Sequence, residues 1–285
     1  MKKITDIRRA YGEKSGYKLE DREEFGTVRA ILTKFGMPTR NFDSNLSTLI
    51  INEEETNSEY VAGTYIARTN TLNMPSEKAD RVHELLHMAS NDMDHPDELE
   101  GCKTRGPSGL FGNSLNEGIT DYFTKLAMPK YMNKYPYEAF FVHYINKMYG
   151  MDVFREHFNG DAKAFYASFK QDELFIRSFV QELDKFHNLS QEFFKRPQDQ
   201  PLDKDQADKI SDAFIDCVSS FVKLLLLKKL DEKEFLQDLN ALMSSNDNDY
   251  VNLIDMFFIL GTYQSKDRIF TTIKEEIGEE GFVRA

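Results

Sequence analysis

Two histidines four residues apart, His83 and His87, with Glu84 beside the first, constrain this chain more than any other feature. They lie in residues 76–91, where Val82, Leu85, Leu86 and Ala89 recur at helical spacing and Ser76 stands as N-cap before Glu77. On a helix, positions i and i+4 stack on one face, one turn apart. Both imidazoles then point the same way and can present nitrogens to one metal ion, with Glu84 near enough to reach a water on that ion. The same residues also fit an ordinary amphipathic helix with two surface histidines. A third ligand decides between the two.

Residues 114–122 read Ser-Leu-Asn-Glu-Gly-Ile-Thr-Asp-Tyr. His83-Glu84-Leu85-Leu86-His87 followed by Asn116-Glu117-Gly118-Ile119-Thr120-Asp121 resembles the two ligand helices of the gluzincins, the thermolysin-like clan of zinc peptidases. The resemblance covers roughly residues 60–160, and these two motifs carry it. It implies that His83, His87 and Glu117 hold Zn2+ and that Glu84 is the general base. It also implies that Asp121 accepts the ring N–H of His83 and fixes its tautomer. Glu117 and Asp121 are one turn apart, so both can face the histidine helix. Three protein ligands leave a fourth zinc position open for water. Read locally, Ser114-x-x-Glu117 is also a capping box, in which Glu117 merely returns to the Ser114 backbone.

Rival ligands are few. The position a metzincin would fill with histidine is Met93. His95 precedes Pro96 in an acidic run from Asp92 to Glu100 that reads as a solvated loop. Cys102 stands alone among glycines, where a small buried residue is the commoner role. Peptidases of this type stabilise the oxyanion with a Tyr or His donor beside the metal. His143, His157, Tyr131, Tyr135, Tyr137 and Tyr144 are the candidates, and His143 is grouped with Glu84 as catalytic. The downstream histidine motif of thermolysin itself is not found.

The elements around these motifs follow from periodicity. Residues 1 to about 40 read as helix, with Val28, Ile31, Leu32 and Phe35 in phase and a stop at Gly36 and Pro38. Residues 46–52 and 60–72 are rich in Thr, Ile, Val and Tyr and predict a β-hairpin or small antiparallel sheet. In the family such a sheet precedes the metal helix, and its edge strand pairs with extended substrate. That implies substrate-binding positions at Tyr65 and Ala67, in residues 63–70. A strand paired only internally fits the residues equally well.

Residues 92–113 form a long glycine-rich loop in which Lys103 and Arg105 either meet a substrate carboxylate or balance nearby acids. The second ligand helix spans about 115–128, ended by Pro129. Beyond it come Phe-rich helices from 139 to 194 and a polar linker, 195–206, with two prolines. Four short helices follow, over 207–230, 232–243, 250–261 and 266–277.

The predicted fold is therefore α+β and mostly helical. It comprises a zincin-like metallopeptidase domain over 1–194, with a small antiparallel sheet, and a helical C-terminal subdomain over 207–285. A net charge of −12 over 285 residues offers no basic stripe for nucleic acid and opposes anionic membranes. Two distant cysteines make no disulfide framework, and neither a secretory h-region nor a spanning apolar stretch occurs, so a cytoplasmic protein is expected. The expected activity is zinc-dependent peptide-bond hydrolysis on a peptide or protein substrate, with endopeptidase favoured because no G-x-M-x-N exopeptidase motif precedes the metal helix. The alternatives are a non-catalytic interaction module stapled by zinc and a helical adaptor without metal.

Overall fold

Apolar residues at helical spacing build most of the molecule. The structure, a computed structural model, describes residues 23–52, 63–73, 78–94, 100–106, 109–194 and 204–244, and residue 275. In α1 (Glu23–Lys34) the buried face carries Phe25, Val28, Ile31 and Leu32, and two glutamates complement the helix dipole in the first turn. A further helix, α2 (Arg40–Leu46), takes the start of the first predicted strand, leaving only β1 (Ile50–Asn52) extended.

The sheet has the order β1-β3-β2, with β2 at Thr64–Ile66 and β3 at Thr71–Asn73. β2 is antiparallel to β3, but β1 is parallel to it, so the sheet is mixed and not the antiparallel one expected. The reason is placement: β3, with Leu72 wholly buried, takes the centre, and the two earlier strands flank it without pairing to each other. The stretch from 63 to 70 stops being strand after Ile66. Ala67–Thr69 forms a 3-10 turn closed by Asn70 in the left-handed region (φ 48°).

Helix α3 (Lys78–Ala89) packs on α1, α2, β2 and α4 (Asn113–Ala127). Between α3 and α4 the predicted loop holds a short hairpin, β4 (Thr104–Gly106) with β5 (Gly109–Phe111). α4 lies closest to α5 (Pro136–Tyr149), where a Cβ added to Gly118 would sit 2.7 Å from the Glu138 backbone. Then come α6 (Arg155–Asn159), α7 (Ala162–Ala167), α8 (Glu173–Phe194), α9 (Lys204–Leu227) and α10 (Glu232–Ser244).

One continuous hydrophobic cluster runs from Phe25 in α1 to Met243 in α10. Phe141 of α5 meets Phe179 of α8 at 5.1 Å and Phe221 of α9 at 4.9 Å between ring centroids, so helices on both sides of the predicted linker share this core. The last three linker residues, 204–206, belong to α9. Residues 1–22, and the helices expected over 250–261 and 266–277 apart from residue 275, lie outside the described residues. The described chain is mostly helical with small sheets, an α+β arrangement, and no helix in it is long and apolar enough to cross a membrane.

Candidate metal centre

The crossing of α3 and α4 brings His83, His87 and Glu117 together. His83 Nε2 and His87 Nε2 lie 3.2 Å apart, and Glu117 Oε2 lies 3.1 Å from His87 Nε2 and 3.4 Å from His83 Nε2. Both histidines are buried, and the three donor atoms form a triangle that can hold one metal ion. Ser114 does not cap α4 through Glu117. The N-cap is Gly112 (φ 85°), and Ser114 sits inside the helix. Asp184 of α8 takes the cap: Oδ2 accepts from the Gly112 N–H at 2.6 Å, and Oδ1 accepts from Ser114 N–H and Oγ at 2.9 and 2.5 Å. A buried carboxylate at a helix N-terminus satisfies donors the helix cannot satisfy itself. Glu117 is thereby left to face the histidines.

Carboxylates stand behind both imidazoles. Asp121 Oδ1 lies 3.2 Å from His83 Nδ1, off the angle of a formed hydrogen bond. Asp121 is wholly buried and accepts from Tyr131 Oη–H at 2.6 Å and the Tyr135 N–H at 2.8 Å. Glu100 Oε1 lies 3.4 Å from His87 Nδ1. Burial opposes charge on His83, but contact with Asp121 and Glu117 outweighs it and pushes the imidazole up to about 10. His87 is likewise raised against its burial by Glu117 and Glu100. Burial alone would raise Glu117; the two histidines instead hold it well below the usual carboxylate range. Without a metal the three groups therefore share protons and charge, the state that a cation would displace.

Glu84 reaches the sheet. Its Oε2 accepts the N–H of Tyr65 at 2.7 Å. Tyr65 pairs in register with Leu72, and its amide points away from β3 at the sheet's open edge. The expected substrate contacts change accordingly. The Tyr65 amide is committed to Glu84, and its side chain is buried, bonded to Asn70 and Asn91. Ala67 is not on an extended edge, because its carbonyl closes the 3-10 turn and also accepts from Asn91 Nδ2.

His143 does not join the centre. It is exposed on α5, where Tyr122 and Tyr144 are its ring neighbours and Lys147, Glu234 and Asp238 its charged ones. Its phase explains this: Glu138 faces inward, and five residues later the helix has turned about 140° further round. His157 is buried behind His87 with neither ring nitrogen bonded. Its burial and the charges of His87 and Lys103 push it down to about 3, a neutral imidazole. Tyr137 packs against Phe186 and Phe214, and the Tyr144 hydroxyl donates to Asp238, so neither faces the metal cluster.

Tyr135 does, its ring stacked on His83 at 6.0 Å and tilted against His187 at 5.7 Å. His187 was not foreseen from the sequence. Its Nδ1 lies 2.8 Å from Glu138 Oε1, and the Glu117 carboxylate acts on it electrostatically. Its burial is opposed by the Glu138 contact, which raises its pKa. The available signal was a polar pair, Asp184 and His187, on the apolar face that Val180, Leu183 and Phe186 define in α8. Lys103 pairs with Glu100 and not with a free cleft, while Arg105 is exposed. Compared with protein-family models, curated proteins and solved structures, the chain matches none.

Proposed function

We propose that this chain is a zinc metallopeptidase of gluzincin type. The supporting observation is the donor triangle: a tetrahedral zinc with bonds of about 2.0–2.1 Å sets its ligand atoms roughly 3.3–3.4 Å apart, and the three edges here are 3.1, 3.2 and 3.4 Å. Two imidazoles and one carboxylate are also the donor set of catalytic rather than closed structural zinc sites. A zinc ion held by them supplies a Lewis acid that polarises a substrate carbonyl and acidifies water.

The chain's own groups do the rest. Glu84, one step along α3 from His83, accepts the proton of the attacking water and delivers it to the leaving amine. Its hydrogen bond from Tyr65 aims the carboxylate and keeps one oxygen fixed. Tyr135 and His187 replace His143 as the candidate oxyanion donors, with Glu138 holding His187 Nδ1 and Asn113 Nδ2 lying 3.4 Å from its Nε2. An extended peptide would lie along the open edge of β2, meeting the Tyr65 carbonyl and the exposed Ile66 side chain.

The same Tyr65–Glu84 bond favours one rival, a non-catalytic protein in which zinc and Glu84 tie helix to sheet. Glu84→Gln separates the two. The peptidase reading expects zinc retained and cleavage of an unstructured protein substrate reduced by about 10²–10⁴-fold. Undiminished turnover would remove Glu84 from the chemistry. Absence of turnover in the parent protein, with zinc bound, would favour the staple.

A further inference from the structure

Both metal-binding imidazoles need a partner for the nitrogen that faces away from the metal, because ligation through Nε2 leaves the proton on Nδ1. Asp121 stands at that position for His83, on the ligand helix itself. For His87 the groups within 3.4 Å of Nδ1 are Asn116 Nδ2 at 3.1 Å, Thr120 Oγ1 at 3.4 Å and Glu100 Oε1 at 3.4 Å. Asn116 Nδ2 is a donor and cannot accept. It donates to Glu100 Oε1 at 3.3 Å, and with the amide so oriented its own Oδ1 is buried without a hydrogen-bond partner among the described residues. Thr120 gives its hydroxyl proton to the Asn116 carbonyl and offers only a neutral lone pair. Among the described residues Glu100 is the one carboxylate within that distance, and charge-assisted hydrogen bonds are about twice as strong as neutral ones.

Glu100 does not reach this place by chance. The acidic run that ends with it reads as solvated loop, yet Glu100 is only 7% exposed. The Gly101 N–H donates to the Ser90 carbonyl at 2.7 Å, anchoring the loop to the last turn of α3, the turn that carries His87. Lys103, itself nearly buried, forms an ion pair with Glu100 from the next turn of the loop. Burying a carboxylate is costly, and the Lys103 ion pair offsets part of that cost.

We propose that Glu100, charge-balanced by Lys103, is a positioning residue for His87: it accepts the Nδ1 proton, fixes the Nε2-ligating tautomer and strengthens the imidazole as a ligand. The inference rests on the metal-site reading above and extends it from the motif helices to the 100–106 segment. Because Lys103 leads directly into β4, the hairpin and the ligand are then mechanically joined.

The test uses the full chain. Zinc affinity is measured by chelator competition in the parent protein and in Glu100→Gln, Glu100→Asp and Lys103→Met, and folding is followed by thermal melts. The imidazole N–H resonances are read from the zinc-loaded, ¹⁵N-histidine-labelled protein. Glu100→Gln is expected to weaken zinc binding about 10- to 100-fold and move the His87 Nδ1–H resonance upfield, with Glu100→Asp recovering part of both. Lys103→Met is expected to lower the melting temperature while leaving that resonance in place. A His87 resonance and an affinity unchanged by Glu100→Gln would overturn the proposal and point to Thr120 or a rotated Asn116 as acceptor. Equal shifts in Glu100→Gln and Lys103→Met would also overturn it, reducing the pair to a structural ion pair. A parent protein without measurable zinc affinity would fail one step earlier and take the metal-site reading with it.

Discussion

The α3–α4 crossing and the aromatic core between α5, α8, α9 and α10 are opposite solutions to burial. At the crossing, His83, His87, Glu100, Glu117 and Asp121 are packed against one another, and each is tolerable only because another faces it. In the core, Phe140, Phe141, Phe179, Phe221 and Phe235 meet ring against ring, and area removed from water does the stabilising. The lesson is a division of labour: affinity for a cation should live in the first region and resistance to unfolding in the second. Substitutions should then separate the two properties.

The largest effect is expected for Glu117→Ala. Groups that merely orient a ligand are worth about 10- to 100-fold in metal affinity, so loss of a ligand should exceed that in a chelator competition. An unchanged affinity would break the division at its first half. Next is Phe141→Ala, where a fully buried ring is removed. Denaturant unfolding should show a loss of about 3–5 kcal/mol, with zinc affinity retained by the folded fraction. A coupled loss of affinity would show the halves are one unit.

A smaller effect concerns protons. With His83 raised to about 10, its ring is protonated at neutral pH in the metal-free protein, and His87 is raised as well, whereas ligation requires neutral rings. Zinc binding at pH 7 should therefore release protons and tighten as pH rises, measurable by calorimetry in buffers of different ionisation enthalpy. The sign for stability is opposite. A histidine whose pKa is higher in the folded state stabilises most below its unfolded value, and that contribution fades as pH climbs toward 10. The metal-free protein should accordingly melt lower in that range. The least effect is expected for His143→Ala: an exposed residue outside the cluster should change stability by less than about 0.5 kcal/mol and leave zinc affinity and turnover unaltered.

What could be read from the sequence was whatever fits within one helix. His83, Glu84 and His87 share α3, and Glu117 and Asp121 share α4, so spacing alone fixes their relative directions. Contacts between elements were illegible. Asp184 caps α4 from 70 residues away, and Glu138 meets His187 across 49. Glu100 looked solvated because its neighbours are acidic, and its burial depends on Lys103 and on the anchor at Ser90. The parallel pairing of β1 with β3 leaves no trace in the alternation of either strand. His143 misled because aromatic and histidine residues follow each other along α5, while the helix turns only one face of them inward.

Gly118 follows Glu117 of the candidate metal cluster and lies at the point where α4 and α5 touch main chain to main chain. A single methyl group there would act as a wedge, prising Glu138 outward and dragging His187 with it, while every liganding side chain stayed in place. The spacing between Glu117 and His187 is therefore gauged by a missing side chain, and Gly118→Ala is expected to leave the His83–His87–Glu117 cluster assembled while shifting His187 relative to it.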